Sequence, residues 1–130
     1  MEKVAYNTLG KVLEYSVAGE DFYLLIGDFL DEFYRSDISR CQQMIDTRPD
    51  EKDVQKQEVY SAFVAATAHK LANDYKLSVP AWVSENKFYL KKPFFGGNAK
   101  GNLRWWFMYN SPSEFKHRNL FVCENILKRV

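Results

Sequence analysis

The side chains that most often carry catalysis are few and scattered in this sequence. The two histidines, His69 and His117, have no cysteine, histidine or carboxylate partners at a spacing typical of a metal site. Cys123 could act as a nucleophile only with a base brought to it by folding, because nothing in its local sequence provides one. We therefore expect no catalytic, cofactor-binding or metal-binding residues, and a protein that is not an enzyme.

Two other patterns resemble a phosphate-binding loop and an acid–base pair, but their details do not support either one. The glycine-rich stretch 96–102 lacks the Lys-Ser or Lys-Thr pair that follows the last glycine of a phosphate-binding loop, so it predicts a surface turn. The neighbouring carboxylates Asp28, Asp31 and Glu32 lie opposite an apolar helical stripe. Such a position is typical of a solvated helix face rather than an acid–base pair.

Length and composition indicate one globular domain. The chain has 130 residues, of which 46% are hydrophobic and 16% aromatic, which excludes a disordered or low-complexity protein. No apolar run is long enough to span a bilayer, and the amino terminus lacks the apolar region of a signal peptide. A cytoplasmic protein without membrane association is the expectation. Cys41 and Cys123 should then be free thiols, with a disulfide between them as the alternative.

The formal charge of +1 conceals an asymmetry between the halves of the chain. Residues 1–65 hold 7 Lys and Arg against 13 Asp and Glu, whereas residues 66–130 hold 11 against 4. Two interpretations follow: the two halves fold against each other and their charges cancel, or one face is kept for a charged partner.

The first part of the chain, residues 1–76, has the periodicity of a helical bundle. Apolar spacing predicts helices over 9–17, 22–33 and 38–45, the first capped by Asn7 or Thr8. A fourth helix should begin at Pro49 and run to about Tyr75. Its stripe of alanines would let other helices approach closely, so we expect it at the centre of the bundle.

The second part, residues 77–130, is less regular. A proline at 80 should break the helix and start a short new one, while residues 86–93 fit either a brief strand or an irregular segment. Residues 103–109 fit either a helix or a strand. A helix start is expected at 111–114 with Pro112 first, and a last turn at 125–129. The predicted fold is mainly α: a single-domain helical bundle with an irregular, aromatic-rich carboxyl-terminal part and at most a small β-hairpin.

Aromatic density is the most distinctive feature of the second part. The 40 residues from Trp82 to Phe121 contain eleven aromatic and seven Lys or Arg residues. Such a segment can stack the bases of single-stranded nucleic acid, anchor a protein partner, or fill an irregular core. Trp105 and Trp106 point in different directions on any regular element, so one of them should be exposed.

Several fragments of the second half resemble a known group of proteins. They are 71–75, 79–83, 89–90, 93–95, 103–104 and, most specifically, the string Ser-Pro-Ser-Glu-Phe-Lys-His-Arg-Asn-Leu-Phe-Val at 111–122, followed by Leu127 and Val130. This series resembles the carboxyl-terminal region of small bacterial antitoxin-like or regulator proteins encoded beside nucleotidyltransferase-type toxin genes. The resemblance covers about the last 60 residues. It implies a protein that binds a partner protein, such as a cognate toxin, in a toxin–antitoxin or mobile-element module.

Two surfaces are candidates for binding. An acidic helix face could dock on a basic groove of a toxin; its residues are Asp21, Asp28, Asp31 and Glu32. A basic and aromatic patch could serve a nucleic acid, which is the alternative function; its residues are Arg104, Trp105, Trp106, Lys116, His117, Arg118, Lys128 and Arg129. Arg118 and Asn119 could instead hold an irregular turn by hydrogen bonds. Residues 1–70 show no recognition helix and are acidic, which disfavours a DNA-binding regulator.

Overall fold

The computed structural model describes residues 8–96, 101–123 and 126–127, and these residues are mainly helical. The elements in chain order are α1 (Leu9–Val17), α2 (Phe22–Tyr34), α3 (Ile38–Asp46), α4 (Glu51–Lys56), α5 (Glu58–Tyr75), two 3₁₀ turns (Ala81–Ser84 and Asn86–Phe88), β1 (Phe94–Phe95), α6 (Asn102–Asn110), α7 (Ser113–Lys116) and β2 (Leu120–Phe121). The predicted mainly-α fold is confirmed. No helix in these ranges is long and apolar enough to cross a membrane.

The first three helices each begin directly after a capping side chain, and Thr8 is one of the two caps predicted for α1. Thr8 accepts a hydrogen bond from the backbone N–H of Lys11 at the start of α1. Asp21 accepts from two N–H groups of the first turn of α2, and Asp37 accepts from the N–H of Arg40 in α3. Each cap satisfies backbone donors that the helix cannot satisfy itself. The three predicted helices are confirmed within one residue at each end.

The predicted continuous helix from Pro49 to Tyr75 is wrong, because the chain forms α4 and α5 with a break at Gln57 (φ −139°, ψ 80°). Pro49 also lies outside the helix, which begins at Glu51. The break lets α4 turn and pack against α1, and this contact buries Val54. Burial of apolar surface thus overrides a sequence with good local helix propensity.

Helix α5 lies at the centre of the fold, as its alanines predict. Five of them have at most 1% of their surface exposed: Ala62, Ala65, Ala66, Ala68 and Ala72. The helix contacts α1, α3, α4, α7 and both 3₁₀ turns. A helix surrounded in this way needs small side chains on several faces, because larger ones would hold its neighbours too far away to pack.

The second part contains a parallel strand pair in place of a hairpin. Phe94 pairs with Leu120 and Phe95 with Phe121. Parallel strands need a long crossover, and α6 and α7 provide it here. Residues 103–109, which fit either helix or strand, belong to α6, and α7 begins one residue later than predicted. The expected last turn at 125–129 falls mostly outside the described residues.

Both cysteines lie in the described ranges and both are free thiols. Cys41 is buried and Cys123 is exposed. The alternative of a disulfide between them is therefore wrong. Burial raises the pKa of the Cys41 thiol, which keeps it protonated and unreactive.

Candidate functional site

Arg118 lies in the interior, so its assignment to an exposed basic patch is wrong. Its side chain has 0% of its surface exposed. One guanidinium nitrogen donates to the carbonyl of Val83 at 2.7 Å, and the other donates to the carbonyl of Glu114 at 2.9 Å. The guanidinium also lies over the ring of Tyr89, 4.7 Å from its centroid. Arg118 therefore ties α7 to the first 3₁₀ turn and to the segment that follows the second.

Asn119 completes this junction. It adopts a left-handed conformation (φ 65°), which asparagine tolerates better than most residues. Its side-chain amide donates to the carbonyl of Leu90 at 2.8 Å, and its own carbonyl accepts from the N–H of Phe94 at 2.9 Å. The Arg-Asn pair of the 111–122 string thus has a structural role, namely the turn-holding alternative raised by the sequence.

A small polar cluster surrounds Arg118 where α5 meets α7. His69 Nδ1 lies 3.3 Å from a guanidinium nitrogen of Arg118, and the amide of Asn73 donates to the carboxylate of Glu114 at 2.8 Å. Burial and the positive charge of Arg118 lower the pKa of His69. Burial alone would raise the pKa of Glu114, but its hydrogen bonds and nearby cations lower it. The neutral imidazole is therefore the form that fits beside the guanidinium.

This cluster predicts a loss of stability in mild acid. The charged or titratable groups facing His69 are Arg118, Glu114 and His117. Because the pKa of His69 is lower in the folded chain, stability should fall as the pH drops below about 6.5, where the unfolded chain takes up a proton that the folded chain resists. Glu114 adds a separate loss below about pH 4.5.

Urea unfolding at a series of pH values tests the contribution of His69. The His69→Gln variant keeps an acceptor for Arg118 but cannot titrate, so it should flatten the decrease between about pH 6.5 and 5. A decrease as steep in the variant as in the native chain would show that His69 does not cause it.

The clearest candidate for a binding surface is α6. None of its residues is buried, although most of them are apolar. Tyr109 has 87% of its surface exposed, Trp105 68% and Trp106 55%, with Leu103 and Met108 also exposed. Both tryptophans are exposed, Trp105 more than Trp106, because the helix turns only its Phe107 side partly toward the protein. Contiguous exposed apolar surface is typical of an interaction site.

Helix α6 is held in place through its ends. Gly101 precedes it in a conformation (φ 57°) that favours glycine. At the other end the buried Ser111 hydroxyl accepts from the N–H of Val122 at 2.8 Å and lies 3.0 Å from the carbonyl of the same residue. Lys116 donates to the carbonyl of Tyr109 at 3.1 Å. The backbone of the helix is thus fixed while its large side chains project outward.

The aromatic rings beneath α6 are already engaged within the chain. Phe95 stacks on Phe121 with centroids 5.0 Å apart, and the guanidinium of Arg104 lies 4.7 Å from the centroid of Phe95. This small platform joins α6 to the strand pair. Next to this platform, the rings of the helix itself and of Phe94 are exposed.

The acidic face is less uniform than the sequence indicates. Asp21 caps α2, and Glu32 forms an ion pair with Arg40 at 2.7 Å. Asp31 is partly buried. Asp28 is exposed and does not cap its helix. Two of the four carboxylates therefore serve the local structure of α2 and α3.

Of the remaining members of the basic patch, two lie at the surface and two lie outside the residues that the structure describes. Lys116 is partly exposed, and His117 is exposed with its ring edge against Tyr89 at 5.6 Å. Lys128 and Arg129 lie outside the described residues. The structure thus brings Arg104, Trp105, Trp106 and Lys116 together near α6.

A groove of about 590 Å³ lies between α4, the start of α5 and residues 86–94. Its rim carries an ion pair between Lys87 and Glu51 at 2.7 Å, and Arg48 contacts the same carboxylate at 2.9 Å. Hydrogen bonds from these cations lower the pKa of Glu51 to about 2. The carboxylate of Glu51 is thus paired with two cations at this rim. Among the described residues, no cluster of three or more His, Cys, Asp or Glu side chains could hold a metal ion.

Comparisons with protein-family models, curated proteins and solved structures find no significant match to this chain. Sequence reasoning named Arg104, Trp105 and Trp106 as part of a patch but missed that Leu103, Met108 and Tyr109 make the whole of α6 an exposed surface. Its signal in the sequence is a nine-residue stretch between Gly101 and Ser111 with no polar face.

Proposed function

We propose that this protein is a non-enzymatic protein-binding domain whose partner is seated on α6. The observation that supports this proposal is a regular helix that contributes no buried residue and exposes two tryptophans and a tyrosine. Tryptophan and tyrosine are the residues most enriched at the energetic centres of protein interfaces. Because the core does not use these side chains, a partner can bury them without disturbing the fold.

The biological setting that we propose is a two-gene module in which the chain is the antitoxin-like member. The support for this setting is the resemblance of residues 111–122 to the carboxyl-terminal region of such proteins. In this chain Phe115 and Arg118 of the string are buried and Ser111 fixes the end of α6. Residues 111–122 therefore anchor the carboxyl-terminal end of α6 to the core.

Co-expression with the product of the neighbouring gene tests this function. We expect the two proteins to purify together at a fixed stoichiometry by native mass spectrometry. The Asp28→Asn variant serves as a control, since a partner seated on α6 should bind it as well as the native chain. Failure of the two proteins to associate would contradict the proposed module.

A further inference from the structure

We infer that α6 inserts into an apolar groove of the partner protein whose rim carries carboxylates. This inference rests on the proposed function and adds the chemistry of the surface that α6 recognises. The arguments are the arrangement of the side chains around the helix and the sign of the charges that flank it.

The helix has the side-chain spacing of a groove-binding helix. Trp105, Met108 and Tyr109 stand at positions i, i+3 and i+4, so they share one side of the helix. Trp106 flanks them on the adjacent side. Helices that dock in apolar grooves present anchors at this spacing. The largest of these anchors are also the most exposed side chains of α6.

The charges around these anchors are positive. Arg104 lies on the helix itself with its guanidinium over the ring of Phe95, and Lys116 binds the carbonyl of Tyr109. The single carboxylate side chain between residues 89 and 123 is Glu114, which already accepts a hydrogen bond from Asn73. A partner with carboxylates around its groove complements these two cations and gains in both specificity and association rate.

A second copy of the chain fits this surface less well. A two-fold contact through α6 would bring Arg104 and Lys116 of both copies into the same interface. Like charges brought together at an interface disfavour binding. The occupant is therefore better matched by a different, acidic protein.

Single-stranded nucleic acid also fits this surface less well, although its phosphates could pair with the cations. Successive side chains on a helix diverge by about 100°, so Trp105 and Trp106 cannot stack neighbouring bases in a row. Phe95 is already stacked on Phe121 and covered by Arg104. Leu103 and Met108 contribute apolar surface that offers nothing to a base but fills a protein groove.

The salt dependence of partner binding tests this inference. The probe is the co-purified product of the neighbouring gene, titrated against the full chain at about 50 mM and about 500 mM salt. We expect the native affinity to fall about tenfold between the two, because exposed charges are screened at high salt. A variant with Arg104→Gln and Lys116→Gln should bind more weakly at low salt and show a much smaller salt effect.

A matched control removes cations elsewhere. Lys52→Gln with Lys56→Gln on α4 neutralises two exposed lysines and should leave both the affinity and its salt dependence unchanged. Binding that needs α6 but ignores salt and the two neutralised cations would overturn the acidic-rim inference and leave the proposed function standing. Tight binding of a dT oligonucleotide, or self-association seen by light scattering, would also overturn it. No complex at any salt would overturn both.

Discussion

Replacing Arg118 with methionine is expected to lower the free energy of unfolding by about 3–5 kcal/mol. The substitution keeps an unbranched apolar stem but removes every donor of the guanidinium. The carbonyls of Val83 and Glu114 then lose their partners inside the protein, at about 1–3 kcal/mol for each unsatisfied group. The contact with the ring of Tyr89 is lost as well.

Urea unfolding of three variants checks this prediction. Arg118→Lys keeps the charge but offers no planar fork of donors, so its loss should lie between those of the native chain and of Arg118→Met. Arg35→Met makes the same substitution at an exposed position and should leave the urea midpoint unchanged. A loss below about 1 kcal/mol for Arg118→Met would show that the junction does not depend on these hydrogen bonds.

Much of the first part of the fold could be predicted because its signals are local. The apolar stripe of α2 and the capping residues Thr8, Asp21 and Asp37 each act within a turn or two of the chain. The break at Gln57 could not be predicted, since no glycine or proline marks it. At this break the chain changes direction, and α4 packs against both α1 and α5.

The second part was harder to predict because its order depends on contacts between distant residues. Arg118 reaches Val83, 35 residues away, and Asn119 reaches Leu90, 29 residues away. A basic residue in a basic segment is usually exposed. The burial of Arg118 therefore cannot be predicted without knowing which carbonyl groups surround it in the fold. The same limit applies to α6, whose apolar composition fits a core helix as well as an exposed one.

Replacing Trp105 and Tyr109 together with alanine is expected to weaken partner binding at least about 100-fold and to leave the fold intact. The two side chains are the most exposed aromatics of α6, so a partner that covers the helix must bury them. Because neither contributes to the core, the free energy of unfolding should not decrease. Isothermal titration with the partner measures the loss of affinity, and urea unfolding measures the free energy of unfolding.

Two controls separate binding from folding in this experiment. Trp82→Ala removes a tryptophan that is 6% exposed and whose indole N–H donates to the carbonyl of Ile45 at 3.2 Å, so it should cost about 3–5 kcal/mol of stability. Ile38→Ala removes exposed apolar surface on α3 and should leave partner binding unchanged. Undiminished binding by the Trp105→Ala, Tyr109→Ala variant would show that the partner is seated elsewhere. Replacing Trp82 should lower stability, whereas replacing Trp105 should weaken partner binding. The difference follows from burial, because a tryptophan covered by the chain stabilises the fold and an exposed one remains available to a partner.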